Sequence, residues 1–212
     1  MDLIKFVRSN GLVPVLAVQD ASLADGLGKA LIEGGLPIAE VTLRTDCALE
    51  VIKTMASIEG LVTGAGTVIN GADAEKVIAA GAQFIVSPAL SAEVSAVCKK
   101  HDVLYIPGVA TPRDIQDAIV LGHKVVKFFP AEACGGVKTL KAFAAPYGGV
   151  TFMPTGGINT GNLADYLNLP FVEACGGSWL VGKEDLKNSN WAAIESTVKE
   201  AVQLVKDIRG KQ

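Results

Sequence analysis

Eight short runs of apolar and β-branched residues alternate with longer segments of helical periodicity along the whole chain. The runs are Leu12–Val18, Ile38–Leu43, Leu61–Ala65, Phe84–Ser87, Val103–Pro107, Val125–Phe129, Thr151–Pro154 and Val172–Cys175. Continuous hydrophobicity is typical of parallel strands that are covered on both faces by helices. The intervening segments, such as Ala21–Glu33 and Arg113–Leu121, carry apolar residues at helical spacing. Eight strand–helix units in 212 residues predict a compact α/β fold, a (β/α)8 TIM barrel, as a single domain over residues 1–212.

Residues 1–10 precede the first of these runs, and we expect them to form an extra N-terminal helix. The chain is 50% hydrophobic, which is sufficient for one sizeable core. A doubly wound open sheet is the alternative architecture for alternating strands and helices. It has less support, because no Gly-x-Gly-x-x-Gly motif follows the first run.

Composition excludes several classes of function. The formal net charge of −3 provides no basic surface for nucleic acid, so an anionic ligand has to be held locally. No apolar stretch approaches the roughly 18 residues of a membrane helix, and the N-terminus lacks the pattern of a signal peptide. The four cysteines form no C-x-x-C pair, which is typical of reduced cytosolic thiols, and two histidines are too few for a multi-histidine metal site. We therefore expect a cytoplasmic protein without nucleic-acid or membrane partners.

Lys127 occupies the middle of an apolar run, residues 125–130, where a lysine is unusual. Burying an ammonium group among valine and phenylalanine side chains is unfavourable unless the charge is paired or the proton is lost. A neutral amine is a nucleophile for carbonyl groups, so Lys127 is a candidate Schiff-base residue. The alternative is a strand lysine whose amine extends to solvent at the end of the barrel.

Two further charged residues lie near the end of the second run. In a barrel, the chemistry takes place at the carboxyl ends of the strands, and strands two and six lie on opposite sides. Glu40 on the second strand is therefore expected to face Lys127 on the sixth. An acid in an apolar strand suits proton transfer, with a structural ion pair to Lys127 or Arg44 as the alternative. The planar guanidinium of Arg44 matches a carboxylate, with a solvated surface arginine as the alternative.

Paired glycines follow the last two runs, at positions 156–157 and 176–177. Backbone N–H groups at such turns bind anions, and the loops after strands seven and eight are the usual phosphate site of these barrels. Tight packing at the turns is the alternative. Thr67 and Pro88 also follow strand ends, although their turn motifs are weak signals when taken alone, and Thr155 immediately precedes the first glycine pair.

Five segments together resemble the 2-keto-3-deoxy-6-phosphogluconate (KDPG) aldolases, a family also described as bifunctional with 4-hydroxy-2-oxoglutarate (KHG) aldolase. The segments are Glu40–Thr45, Gly64–Val68, Lys127–Glu132, Pro154–Ile158 and Gly176–Trp179. The similarity runs from about Val13 to Val181, and the combination of K-F-F-P-A-E with P-T-G-G-I and G-G-S-W is specific. A sister family that cleaves the galactonate epimer is similar in the lysine strand but lacks G-G-S-W, which favours the gluconate substrate.

The resemblance implies a metal-independent class I aldolase that needs no cofactor, usually a homotrimer, acting on a keto-acid sugar phosphate in the Entner–Doudoroff pathway. It implies that Lys127 forms the Schiff base and that Glu40 is the general acid/base. Arg44, Thr67 and Thr155 would hold the pyruvyl carboxylate or nearby oxygens, while Pro88 and Phe129 would line the pocket. The phosphate would be held by Gly156, Gly157, Gly177 and Ser178.

Under this interpretation KDPG is cleaved to pyruvate and glyceraldehyde 3-phosphate, and KHG to pyruvate and glyoxylate. The residues alone leave two other functions open. One is a phosphate-binding barrel isomerase or synthase in which Lys127 acts only as a charge. The other is a non-catalytic sugar-phosphate-binding barrel in which Lys127 and Glu40 merely pair.

Overall fold

A computed structural model describes residues 2–210 of the chain. Within this range nine strands, β1 to β9, span Leu12–Leu16, Ile38–Thr42, Val62–Gly66, Phe84–Val86, Leu104–Ile106, Gly108–Val109, Val125–Phe128, Thr151–Phe152 and Cys175–Gly177. Ten α-helices, α1 to α10, span Leu3–Asn10, Ala24–Glu33, Ala48–Ala56, Gly71–Ala79, Ala92–Lys100, Pro112–Val120, Gly136–Ala144, Leu163–Leu167, Lys183–Lys187 and Trp191–Arg209. A short 3-10 helix, Ala21–Leu23, precedes α2. The predicted extra N-terminal helix is confirmed as α1.

All paired strands run parallel, and they form a curled sheet with helices outside it. Six strands pair in the order β5-β4-β3-β2-β1-β9, and three pair in the order β6-β7-β8. Single parallel bridges, Phe152–Val172 and Thr155–Gly176, connect the segments around β8 and β9. The carboxyl ends of the strands therefore converge on one edge of the fold, where the candidate site residues lie.

The fifth predicted strand, Val103–Pro107, contains β5, and a second short strand, β6, follows directly after it and pairs with a different neighbour. β5 pairs with β4, and β6 pairs with β7. Pro107 lies between them, and because proline has no backbone N–H it cannot continue the ladder. Its carbonyl instead accepts a hydrogen bond from the Lys127 backbone N–H at 2.8 Å. The pairing therefore changes from β4 to β7 at Pro107, whose backbone can accept a hydrogen bond but not donate one. The bond to the Pro107 carbonyl holds the backbone of Lys127 in place.

Other predicted strand bounds shift by a few residues. The first strand ends at Leu16 rather than Val18, the seventh ends at Phe152 rather than Pro154, and the last begins at Cys175 rather than Val172. Apolar residues continue past these ends because loops at the sheet edge also pack into the core, so hydrophobicity alone overestimates the paired length. No helix among residues 2–210 is long and apolar enough to cross a bilayer.

Candidate active site

Lys127 and Glu40 face each other in the interior of the curled sheet, as the sequence predicts. Their Nζ and Oε1 atoms lie 3.2 Å apart, and the side chains are only 6% and 0% exposed, respectively. The pair joins β7 to β2, which are 87 residues apart along the chain. The second oxygen of Glu40, Oε2, is buried and has no hydrogen-bond partner among the described residues. A buried, unsatisfied carboxylate oxygen next to a buried amine is the arrangement expected where a ligand or water completes the site.

Small residues on the neighbouring strand make room for the Glu40 side chain. Glu40 on β2 is in register with Gly64 on β3, and Thr42 is in register with Gly66. A Cβ atom on Gly66 would lie 2.2 Å from Glu40 Oε1, which is too close for any side chain. The Phe84 ring occupies the corresponding space beside Gly64. Gly66 therefore creates the volume in which Glu40 reaches Lys127, whereas Gly64 makes room for the Phe84 ring.

The residues around the lysine supply an aromatic wall and a threonine. The Lys127 Nζ atom lies 5.2 Å from the centroid of the Phe129 ring, within the range of a cation–π contact. Thr155 is buried three residues after the end of β8, and its backbone N–H donates to the Phe128 carbonyl at 2.9 Å. A Cβ atom on Gly176 would lie 2.3 Å from Thr155 Oγ1, so this glycine admits the threonine hydroxyl.

Arg44 and Ser178 line a cleft of about 700 Å³ at the carboxyl edge of the sheet. Arg44 lies two residues after β2 and Ser178 directly follows β9, so the strand order β2-β1-β9 brings them to the same opening. Both residues are exposed. The cleft is also lined by Lys183 and Lys187 and by the acidic residues Asp20 and Glu184, so its charge is mixed. Arg44 and Ser178 thus line one cleft, and their contact with a substrate stays a prediction.

The glycine pair after β8, which is predicted to bind an anion, has a left-handed backbone conformation. Gly156 and Gly157 have φ values of +101° and +82°, which only glycine adopts readily. A Cβ atom on Gly157 would also lie 2.6 Å from the Glu132 side chain. A Cβ atom on Gly177, at the end of β9, would lie 2.8 Å from Trp179 Nε1. Both turns are thus tightly packed, and anion binding by their N–H groups stays a prediction.

Thr67 and Pro88 lie on the same rim, at the ends of β3 and β4. Thr67 has a φ of +60°, a left-handed conformation that is uncommon for a β-branched residue and that concentrates at functional sites. A Cβ atom on Gly108 would lie 2.1 Å from the Pro88 carbonyl oxygen, so Gly108 allows this loop to pack closely against β6. Both residues lie at the carboxyl edge of the sheet, and their contact with a ligand stays a prediction.

Glu132 and Tyr166 are a carboxylate and a phenol that contact each other beside the glycine pair. The buried Tyr166 on α8 donates its hydroxyl to Glu132 Oε1. Burial, together with this carboxylate, raises the pKa of Tyr166 above its ordinary value, so the phenol keeps its proton. The sequence gives no signal for Tyr166, because a tyrosine in an amphipathic segment is typical of ordinary core packing.

The two buried cysteines, Cys98 and Cys175, are packing residues rather than nucleophiles. Burial raises the pKa of Cys98 to about 12, and it raises that of Cys175 as well, so both stay protonated thiols. All four cysteines are free. Among residues 2–210, no group of three or more His, Cys, Asp or Glu side chains has an arrangement that could hold a metal ion.

A buried lysine–carboxylate pair inside a parallel α/β fold is the arrangement expected of enzymes that use an amine as a nucleophile. Comparison with known proteins gives the family. The sequence model of the KDPG and KHG aldolase family matches residues 3–197. The chain therefore belongs to the KDPG and KHG aldolase family, and the resemblance is confirmed.

Individual relatives agree with this assignment over nearly their whole lengths. The chain is 42% identical to the KHG/KDPG aldolase of Escherichia coli K12 over 193 residues, which cover 91% of each protein. It is 40% identical to a Zymomonas mobilis KDPG aldolase solved with 3-phosphoglycerate, with a TM-score of 0.88 and 95% of each chain covered. A Legionella pneumophila KDPG aldolase, captured with pyruvate as a covalent carbinolamine, has 37% identity and a TM-score of 0.89, with 93% of this chain and 97% of that chain covered.

Proposed function

We propose that the protein is a class I aldolase that cleaves KDPG to pyruvate and glyceraldehyde 3-phosphate in the Entner–Doudoroff pathway. The observation that carries this proposal is the buried Lys127–Glu40 pair at 3.2 Å, in a chain of this family. The carbinolamine of the Legionella relative supports covalent chemistry by an amine. A barrel in which Lys127 is only a charge does not explain why the amine is held away from solvent beside an unsatisfied carboxylate oxygen.

The reaction begins with Lys127 as a neutral amine, whose proton has passed to solvent, and with Glu40 as a carboxylate. The amine nitrogen attacks the C2 ketone to form a carbinolamine, and loss of water gives an iminium. The C3–C4 bond then breaks, its electron pair moving into the iminium to form an enamine, while Glu40 takes the proton of the C4 hydroxyl. Glyceraldehyde 3-phosphate leaves. Protonation at C3 and addition of water release pyruvate and restore the amine.

The pyruvyl end and the phosphate end of the substrate contact the residues predicted from the sequence. Arg44, Thr67 and Thr155 hold the pyruvyl carboxylate and adjacent oxygens, and Pro88 and Phe129 line the apolar wall. The phosphate lies at the turns after β8 and β9, held by Gly156, Gly157, Gly177 and Ser178. Binding of 3-phosphoglycerate by the Zymomonas relative supports a site for a small acid phosphate.

The same centre also cleaves KHG to pyruvate and glyoxylate, because both substrates present a pyruvyl half to Lys127. The name of the Escherichia coli relative, KHG/KDPG aldolase, supports this second activity. KHG has no phosphate group, so it does not use the turns after β8 and β9. A variant that weakens cleavage of both substrates therefore affects the pyruvyl site, whereas one that weakens cleavage of KDPG alone affects the phosphate site.

Four broader expectations belong to the same proposal: a closed barrel, a single domain, a homotrimer and a cytoplasmic location. We infer a closed (β/α)8 barrel in a single domain over residues 1–212, supported by the bridges between the segments around β8 and β9 and by one continuous core. A homotrimer is supported by family membership. A cytoplasmic location is supported by the free, unpaired cysteines.

Trapping of the covalent adduct tests the proposed nucleophile. Borohydride with pyruvate is expected to inactivate the enzyme and to add a pyruvate-derived mass to the peptide that contains Lys127. Lys127→Ala should remain folded, lose nearly all activity and form no adduct. Lys124→Ala is the matched control, because this exposed lysine lies three residues away, and it should be trapped like the wild type. Labelling of Lys124 or Lys138 instead would overturn the assignment, and absence of any adduct would favour a lysine that acts only as a charge.

A further inference from the structure

Thr42 is a buried polar residue at the end of β2 that connects the sheet interior to Arg44. It is only 1% exposed. Its hydroxyl donates a hydrogen bond to the Leu16 carbonyl of β1 at 2.7 Å. The same oxygen accepts a hydrogen bond from Arg44 Nε at 2.9 Å. The threonine thus lies between a fixed backbone carbonyl and the side chain proposed to bind the substrate carboxylate.

The direction of both hydrogen bonds is fixed by chemistry. A threonine hydroxyl has one proton, and the Leu16 carbonyl can only accept, so that proton is directed to Leu16. The hydroxyl oxygen can then only accept from Arg44, whose guanidinium can only donate. The Leu16 carbonyl can only accept and the Arg44 guanidinium can only donate, so the two hydrogen bonds can run in one direction only, from Arg44 through Thr42 to Leu16.

The anchored guanidinium is otherwise free to bind a ligand. Arg44 is exposed, and no carboxylate in residues 2–210 forms an ion pair with it. The bond to Thr42 uses only Nε, so the four N–H groups on the two terminal nitrogens stay available at the cleft. An exposed arginine has many rotamers, and a ligand that binds it must otherwise restrict them.

We propose that Thr42 is a positioning residue that orients the Arg44 guanidinium toward the carboxylate of the keto acid. This inference rests on the proposed role of Arg44. Glu40 and Thr42 are two residues apart on one strand and point to the same face. A single rigid strand therefore sets the spacing between the group that transfers protons and the group that anchors the substrate carboxylate.

Concentration-dependent trapping with borohydride tests the proposal. The measured quantity is the pyruvate concentration that gives half-maximal adduct, in the wild type, Thr42→Val, Thr42→Ser, Arg44→Gln and the double variant Thr42→Val/Arg44→Gln. Thr42→Val should raise this concentration roughly 10-fold, as expected for loss of a hydrogen bond to a charged group. Thr42→Ser keeps the hydroxyl and should stay within about threefold of the wild type. The double variant should be no weaker than Arg44→Gln alone.

Two further measurements distinguish a role of Thr42 in positioning Arg44 from a purely structural role. Trapping of acetone, a ketone without a carboxylate, should be unchanged in Thr42→Val, whereas a distorted site would lose both ketones. Thermal unfolding monitored by circular dichroism establishes that each variant is folded, and Thr42→Ala replaces Thr42→Val if valine prevents folding. A large effect of Arg44→Gln without any effect of Thr42→Val or Thr42→Ala would overturn the positioning role alone. No effect of Arg44→Gln would overturn the carboxylate role of Arg44, and the inference with it.

Discussion

The two oxygens of the Glu40 carboxylate have unequal surroundings. Oε1 accepts a hydrogen bond from Lys127, while Oε2 is buried without a partner in the described part of the chain. Buried polar atoms are normally satisfied, so an exception at the centre of a site indicates a place for a ligand or water. One oxygen can therefore hold the lysine while the other approaches the C4 hydroxyl or the C3 position of the bound substrate.

Replacing Glu40 with glutamine is expected to separate imine formation from proton transfer. Glutamine keeps the shape of the side chain but cannot take up a proton, so borohydride trapping with pyruvate should be retained. Exchange of the pyruvate C3 hydrogens with deuterium, followed by NMR, should slow by roughly 10²- to 10⁴-fold, the usual contribution of a general acid/base.

Glu50→Gln is the matched control for this measurement, because Glu50 is an exposed acid on α3, the helix that follows β2. It should exchange like the wild type. Exchange at the wild-type rate in Glu40→Gln, with the adduct still forming, would remove Glu40 from the proton transfers and leave a bound water as the next candidate.

At the scale of elements, the loop after β7 supports the turn after β8. The Glu132 backbone N–H donates to the Gly156 carbonyl at 3.1 Å, and the Glu132 side chain packs against Gly157. Tyr166 on α8 holds the Glu132 carboxylate from the other side. Two loops and one helix are therefore joined through Glu132, next to the glycines that are proposed to bind phosphate.

Tyr166→Phe should weaken use of the phosphorylated substrate selectively. The change removes only the hydroxyl, so the KM for KDPG should rise about tenfold, or roughly 1.4 kcal/mol, through loosening of the turn. The KM for KHG, which has no phosphate, should stay within about twofold. Both values come from coupled assays of pyruvate release.

Two variants calibrate the result for Tyr166. Ser178→Ala removes a proposed direct contact and should show the same selectivity, whereas Tyr147→Phe removes an exposed hydroxyl bonded to Pro112 and should change neither KM. Equal losses on KDPG and KHG in Tyr166→Phe would show that the phenol supports the whole site. Selectivity in Ser178→Ala alone would limit phosphate recognition to the serine.

The sequence predicts which segments form strands better than it predicts where the strands end and which side chains connect them. Apolar runs identify the strands because burial on both faces leaves a continuous signal, and strand order then places Glu40 opposite Lys127. The break at Pro107 is not predicted, because it depends on which neighbouring strand accepts the next hydrogen bond. The link from Thr42 to Leu16 is hidden for a similar reason, since a threonine in a strand is ordinary and its partner lies 26 residues away.

At the scale of the whole molecule, the first and last helices meet at the end of the sheet opposite the site. The Arg209 guanidinium near the end of α10 donates to the Glu173 carbonyl at 2.7 Å and to the Arg8 carbonyl of α1. The Glu173 carboxylate, only 6% exposed, pairs with Arg8 at 3.4 Å. The Cys175 backbone N–H donates to the Gly11 carbonyl at 2.9 Å. This cluster joins both ends of the chain to the start of β9.

Arg209→Met should lower the free energy of unfolding by roughly 1.5–3 kcal/mol, the usual effect of losing hydrogen bonds to a charged group. Methionine preserves much of the apolar stem, so the loss reports on the two carbonyls left without a donor. Urea unfolding followed by circular dichroism measures it, with an unchanged m-value as evidence that the denatured state is unaffected. Because the cluster lies at the amino ends of the strands, kcat/KM at low temperature should stay within about twofold of the wild type.

Lys199→Met is the matched control, because among residues 2–210 Lys199 pairs only with Glu195, on the exposed side of the same helix. An exposed ion pair contributes little, so its free energy of unfolding should change by no more than about 1 kcal/mol. Equal stability of Arg209→Met and the wild type would show that the α1–α10 junction is maintained by apolar packing alone. Loss of activity without loss of stability would instead show that the junction influences the site across the length of the strands, which the separation of the two ends argues against.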